Sequence, residues 1–229
     1  MNWSHQIICI SILYVMEMCN IYFRMIFISD KAYYIYMKDF SEAVAFHGHT
    51  CGGLAMGYKA CELAIEKLGL SFSEDEEVVC ITETDSCTVD AIQVVLGCTA
   101  GKGNLFINNW GKNAFSFYRR DNDTSIRLVA NPECMNANPE MAELRPKVFS
   151  GAATQEEIDR FHTLSHMWID ELLSMPAEKM YLVKEATEPL PGHARIYNNV
   201  VCSVCGEQVA EGLAPVIDGK PVCIPCLRK

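Results

Sequence analysis

The chain has 229 residues, 50% hydrophobic and 21% charged, with 19 basic against 29 acidic residues and a formal net charge of −10. At about 100–200 residues per domain this is one to two domains with enough apolar content for a core, and it excludes a disordered acidic tail or a collagen-like repeat. The acidic balance also argues against nucleic acid or an anionic membrane as partner, because binding to phosphates rests on Lys and Arg displacing counterions.

Residues 1–36 run apolar from Ile7-Ile8-Cys9-Ile10 to Ile26-Phe27-Ile28, with Glu17, Asn20 and Arg24 inside the stretch. A spanning helix needs about 20 apolar residues with few or no charges. A signal peptide would carry a basic start and a small-residue cleavage site. The expectation is therefore a mis-called or poorly ordered extension, with translation starting at Met37; a poor membrane anchor and an extra packed helix are the alternatives.

Further on, Leu54, Tyr58, Cys61, Ile65 and Leu68 recur at helical spacing up to Gly69, a C-cap, so Cys61 reads as core. Val78-Val79-Cys80-Ile81 is a short β-branched run and a buried strand, which makes Cys80 core as well. A short helix, Val89 to Leu96, closes at Gly97. Strand-like runs follow at Leu105–Asn108, Ala114–Arg119 and Ser125–Ala130, separated by Asn109-Trp110-Gly111 and Asp121-Asn122-Asp123. Both breaks carry turn chemistry, which predicts hairpins and an antiparallel sheet over a doubly wound one. Asn131-Pro132 and Asn138-Pro139 mark an irregular stretch. Thr154 with Glu157 opens a long amphipathic helix that ends near Pro176, and His162 and His166 on it lack the Glu of an H-E-x-x-H motif. Tyr181–Lys184 reads as a last strand and 188–192 as a linker.

The chain holds 12 cysteines, and only four of them stand in C-x-x-C pairs, a pattern that points to metal before disulfide. Cys202-x-x-Cys205 and Cys223-x-x-Cys226 lie 17 residues apart, within the spacing of a four-thiolate zinc site. Gly206 permits the positive φ of a knuckle turn, and Asp218-Gly219 forms a hairpin turn that carries the second pair back to the first. Four thiolates close the coordination sphere, so this zinc is structural. From Cys202 onward acids and bases balance, with no basic stripe for nucleic acid.

A second constellation lies near the start of the first long helix. In an extended approach His47, His49 and Cys51 alternate onto one side of the chain, and two imidazoles with a thiolate suit zinc or another late transition metal. Cys51 and Cys87 each precede a helix, where the dipole and free N–H groups favour a reactive thiol or ligand. Cys98 and Lys102 are candidates for the same cleft; the spacing of Gly97, Gly101 and Gly103 does not fit a phosphate loop.

Phe46-His47-Gly48-His49-Thr50-Cys51, Glu83-Thr84-Asp85-Ser86-Cys87-Thr88-Val89-Asp90-Ala91-Ile92-Gln93 and Gly97-Cys98-Thr99-Ala100-Gly101-Lys102-Gly103-Asn104-Leu105 together resemble the FmdE family, whose founding member is the E component of formylmethanofuran dehydrogenase. The resemblance implies an α+β core over 37–190 and a C-terminal treble-clef zinc finger over 191–229. It also implies a homodimer in the cytoplasm, serving a molybdenum or tungsten oxidoreductase as subunit or accessory. Its first motif falls on His47, His49 and Cys51, its second on Asp85, Cys87, Asp90 and Gln93, and its glycine-rich motif on Cys98 and Lys102. The family commonly has Pro after the first cysteine, where this chain has Gly52. The chain lacks the cysteine run of an iron–sulfur cluster and so cannot perform the dehydrogenase reaction alone.

The expectation is thus an α+β protein, mainly antiparallel sheet packed with helices. It would hold structural zinc on Cys202, Cys205, Cys223 and Cys226 and a second transition metal on His47, His49, Cys51 and Cys87. The alternative is a small metal- or thiol-dependent enzyme at that second site, with Cys51, Cys87, Asp85 and Lys102 as the candidate catalytic groups.

Overall fold

The computed structural model describes residues 23–28, 31–134 and 138–229, which fall into two compact units, Met1–Gly192 and His193–Lys229. The expectation for 1–36 lies largely outside the described residues. Within that stretch β1 (Phe23–Ile28) and β2 (Lys31–Tyr36) form an antiparallel ladder, with Phe23 opposite Tyr36 and Ile28 opposite Lys31. Among the described residues no helix is long and apolar enough to cross a membrane.

The main sheet of the first unit is built from β3 (Val78–Thr82), β4 (Leu105–Ile107), β5 (Ala114–Arg119), β6 (Thr124–Ala130) and β7 (Tyr181–Lys184), in the order β4-β3-β5-β6-β7. Three of its pairings are antiparallel; β3 and β4 are parallel. The β5–β6 hairpin turns through 120–123, with Asp123 at φ 54. The hairpin expected between β4 and β5 does not form. Instead the carbonyl of Glu83, just beyond β3, accepts from the N–H groups of Trp110 at 3.0 Å and Lys112 at 3.1 Å. The loop thus crosses the end of β3 and delivers β5 to its other side.

Every residue of β3 is buried, because helices cover one face of the sheet and a returning segment covers the other. Cys80 joins Phe115, Phe117 and Leu128 in the core under the helices, and each large apolar side chain buried there contributes about 1.5–3 kcal/mol. On the opposite face Val79, Ile81 and Tyr118 meet Phe106, Ala186 and Leu190. The stretch expected to be a linker is tied down here: Tyr118 donates to the Glu188 carbonyl at 2.7 Å, and Arg120 to the carbonyls of Pro191 at 2.8 Å and Gly192 at 3.1 Å.

Six helices complete this unit: α1 (Phe40–His47), α2 (Gly52–Leu68), α3 (Thr88–Leu96), α4 (Pro139–Ser150), α5 (Gln155–Ser174) and the short α6 (Ala177–Met180). The predicted stripe understates α2, which is buried nearly all round from Leu54 to Ile65. Its Lys59 is kept in the interior by Glu62 at 2.6 Å and the Leu173 carbonyl at 3.3 Å, as a buried charge requires. The capping box predicted at Thr154 and Glu157 opens α5, and Asn138 with Pro139 opens α4, where an irregular stretch is expected from sequence. The α4–α5 pair has its own small core of Met141, Leu144, Phe161 and Leu164.

The second unit is held by short elements: β8 (Asn199–Val201) with β9 (Gln208–Ala210), a turn of 3₁₀ helix at Glu211–Leu213, β10 (Val216–Ile217) with β11 (Lys220–Pro221), and α7 (Ile224–Leu227). Asp218 and Gly219 both take positive φ, 48° and 74°, and make the predicted tight hairpin; Gly206 is at 76°.

Candidate metal centre

The position of the site is set by how closely α2 and α3 approach. Gly53 and Gly57 lie one turn apart on α2. A Cβ at Gly57 would stand 2.3 Å from the carbonyl oxygen and 2.7 Å from the Cα of Thr88, and one at Gly53 would be 3.2 Å from the Cβ of Cys87. Only residues without side chains let the first turns of the two helices come this close. Gly52 is similarly covered, since a Cβ there would fall 2.0 Å from the Trp168 ring of α5. The ring occupies the space of the proline that the resemblance led one to expect.

That contact brings together the ends of three helices. His47 is the last residue of α1, Gly48 turns the chain at φ 90, Cys51 is the N-cap of α2, and Cys87 is the N-cap of α3. His47 is therefore helical, and the extended alternation expected for His47, His49 and Cys51 does not occur. One ligand atom each of His47, Cys51 and Cys87 lies within 4.8 Å of the others. Cys51 Sγ accepts from the Leu54 N–H at 3.3 Å and lies 3.7 Å from His47 Nε2. Burial, then the neighbouring Cys51 sulfur, push the Cys87 thiol up; a bound cation would oppose both effects.

The second ring nitrogen of His47 settles which tautomer the site favours. Nδ1 is 2.7 Å from Asp90 Oδ2, and Gln93 Nε2 donates to Asp90 Oδ1 at 3.0 Å. With Nδ1–H donating to the carboxylate, the Nε2 lone pair faces the two sulfurs, the orientation that carboxylate partners impose on metal-binding imidazoles. One imidazole and two sulfurs make a borderline-soft donor set that fits zinc, and three ligands leave a fourth position of a tetrahedron open.

The other sequence candidates lie outside this cluster. His49 is exposed and stacks on His47, ring centroids 4.4 Å apart. Asp85 is exposed. The Lys102 ammonium holds the carbonyls of Ser73 and Glu74. Cys98 is fully buried, donates to the Val78 carbonyl at 3.6 Å, and has its thiol pushed up to about 12 by burial. The glycine-rich motif is structural: the buried Asn104 side chain donates to the carbonyls of Asp75 at 3.1 Å, Val78 at 2.9 Å and Gly97 at 3.3 Å, and accepts from the Thr99 N–H at 2.8 Å. His162 and His166 are exposed, and neither is in a metal-holding group among the described residues. Sequence reasoning missed the close-approach role of Gly53 and Gly57, whose G-x-x-x-G spacing was the available signal.

In the second unit the sulfurs of Cys202, Cys205, Cys223 and Cys226 converge within 4.8 Å. Backbone N–H groups, first that of Cys223 at 3.3 Å, bring the Cys202 thiol down to about 6. The Cys223 sulfur and burial push Cys226 up to about 12. Four such sulfurs are kept ionised together by a metal ion.

Residues 46–182 match the family described as FmdE, molybdenum formylmethanofuran dehydrogenase operon. The chain belongs to the FmdE family. The matched span contains His47, Cys51, Cys87 and Asp90. Residues 195–229 match the prokaryotic dksA/traR C4-type zinc finger, which together with the convergent sulfurs supports structural zinc in this FmdE-family chain. A protein of Archaeoglobus fulgidus described as a probable S-adenosyl-L-methionine-binding protein is 32% identical over 174 residues, 72% of this chain and 47% of that protein. The chain thus spans about half the length of that relative. The fold is shared with a tungsten formylmethanofuran dehydrogenase FmdE-like protein from Syntrophus aciditrophicus, 21% identical, with a TM-score of 0.52 over 89% of this chain and 96% of that one.

Proposed function

We infer that this FmdE-family protein carries a second zinc or similar transition metal on His47, Cys51 and Cys87, and that it serves a molybdenum or tungsten oxidoreductase of the formylmethanofuran dehydrogenase type as accessory or subunit. The single observation that supports the metal reading most is the Asp90–His47 contact at 2.7 Å, which turns Nε2 toward the two thiols. The family match supports the association with a dehydrogenase system. A treble-clef tail, a cytoplasmic setting and a homodimer complete the reading. The bound ion would supply Lewis acidity at its open position; the chain's own groups hold and orient it.

The open position favours a second reading, a small metal-dependent enzyme, because a structural site closes its coordination sphere. The Archaeoglobus relative makes S-adenosyl-L-methionine one small molecule to titrate for such an activity. Metal counting on the full chain tests the metal reading. Wild type should hold one ion more than Cys51→Ser or Cys87→Ser, and Cys202→Ser should lose the other ion. Equal metal content in wild type and Cys51→Ser would remove the second site from both readings.

A further inference from the structure

The described cysteines differ sharply in what reaches them. Cys61, Cys80 and Cys98 are fully buried. The four sulfurs of the tail share one closed cluster. Cys134 is partly exposed and occupied by the Lys179 carbonyl, to which it donates at 3.1 Å. Among the described residues, Cys51 and Cys87 alone combine partial exposure with a second thiol of the same first unit within 4.8 Å. They also sit across a glycine: a Cβ at Gly53 would be 3.9 Å from each sulfur. Each caps a different helix from just outside its first turn, so its χ1 can rotate without disturbing a helical ladder.

We propose that Cys51 and Cys87 form a reversible disulfide, and that this bond and metal binding at His47 exclude one another. The pairing rests on the geometry alone; its coupling to metal loss rests on the metal reading above. With a peroxide as oxidant, one thiolate attacks an oxygen, the O–O bond breaks, and a sulfenic acid and water form. The second thiolate displaces hydroxide from that sulfur, closing the S–S bond. Two thiols give up two electrons and two protons, and the peroxide becomes two waters. A dithiol reverses the step by exchange. The disulfide has no thiolate to offer a cation, so His47 alone remains and the ion leaves.

The experiment uses the full chain, stripped of metal or loaded with zinc, treated with hydrogen peroxide and mapped by mass spectrometry of unreduced proteolytic fragments. The stripped protein should link Cys51 to Cys87 before any other pair in the first unit, and dithiothreitol should restore both thiols. Zinc should slow the linkage at least tenfold, and complete oxidation should release the ion that Cys51→Ser also lacks. Sulfinic acid on Cys51 or Cys87 without a crosslink, or Cys51 paired elsewhere, would overturn the proposal. Linkage at one rate with and without zinc would overturn the coupling while the pairing stands. Absence of a second ion in untreated protein would count against the metal reading and leave the crosslink to be judged on its own fragment.

Discussion

Gly57→Ala tests whether the helix crossing sets the site. The added methyl would lie 2.3 Å from the Thr88 carbonyl oxygen and 2.9 Å from its carbonyl carbon, both backbone atoms that no rotamer change can move. An ordinary carbon–oxygen contact is about 1 Å longer, so α2 and α3 must separate by roughly that much at this turn. Overpacking of this kind costs about 1–3 kcal/mol, and the rigidity of the neighbour places it at the upper end. Replacing a mid-helix glycine by alanine returns about 0.5–1 kcal/mol. The net loss is about 2 kcal/mol, which in a domain of this size lowers Tm by roughly 4–8 °C. Because Thr88 follows Cys87, the same displacement draws that sulfur away from Cys51, and affinity at the site should fall at least tenfold. Urea unfolding and zinc titration against a competing chelator measure the two effects. Gly101→Ala is the control, since nothing lies within 4 Å of its added carbon. A Gly57→Ala protein with wild-type stability and wild-type affinity would refute the crossing as the origin of the site.

Asp90→Asn keeps the shape of the residue but removes the charge that fixes the His47 tautomer, and zinc affinity at the second site should drop about 10–100-fold with the tail's zinc unaffected. Arg127→Leu strips the partner from a Glu83 carboxylate that is 3% exposed and held by Arg127 at 2.6 and 3.0 Å, so chemical denaturation should show a loss of about 3–5 kcal/mol. Lys102→Ala should leave metal content unchanged, since its ammonium serves two backbone carbonyls. Chelation should abolish the order of His193–Lys229 and leave the first unit folded, as hydrogen exchange would report, because zinc binding supplies about 10–16 kcal/mol in modules of this size. The Cys202 thiol lies near 6, below its free value, so its contribution is present above the free pKa and disappears as pH falls through about 6. Zinc retention should weaken in the same acid direction.

What the sequence disclosed depended on whether the signal was local. The glycine stops at Gly69 and Gly97, the capping box at Thr154 and the Asp218-Gly219 turn are decided within a few residues, and all appear as expected. The four tail cysteines were legible for the same reason, through spacing. The partner of β4 was not, because it depends on a carbonyl of Glu83 more than twenty residues away. At the second site the residue types were legible and their arrangement was not. His47 belongs to a helix because Asp39 and Glu42 form a capping box upstream, and this removes the alternation that would have placed His49 beside Cys51. Asp90 was visible as a motif residue, but its grip on His47 spans 43 positions and emerges only once α1 and α3 meet. The role of Trp168 against Gly52 likewise arises from a tertiary contact that no window of sequence contains.

Asn104 ties otherwise separate strands of backbone with one amide, reaching Asp75, Val78, Gly97 and Thr99. Such a knot makes the surrounding loops fail as a set. Trimming that amide to a methyl should free the backbone amides near 75–78 and 97–104 in a single cooperative opening, so that this corner of the molecule behaves as one mechanical part.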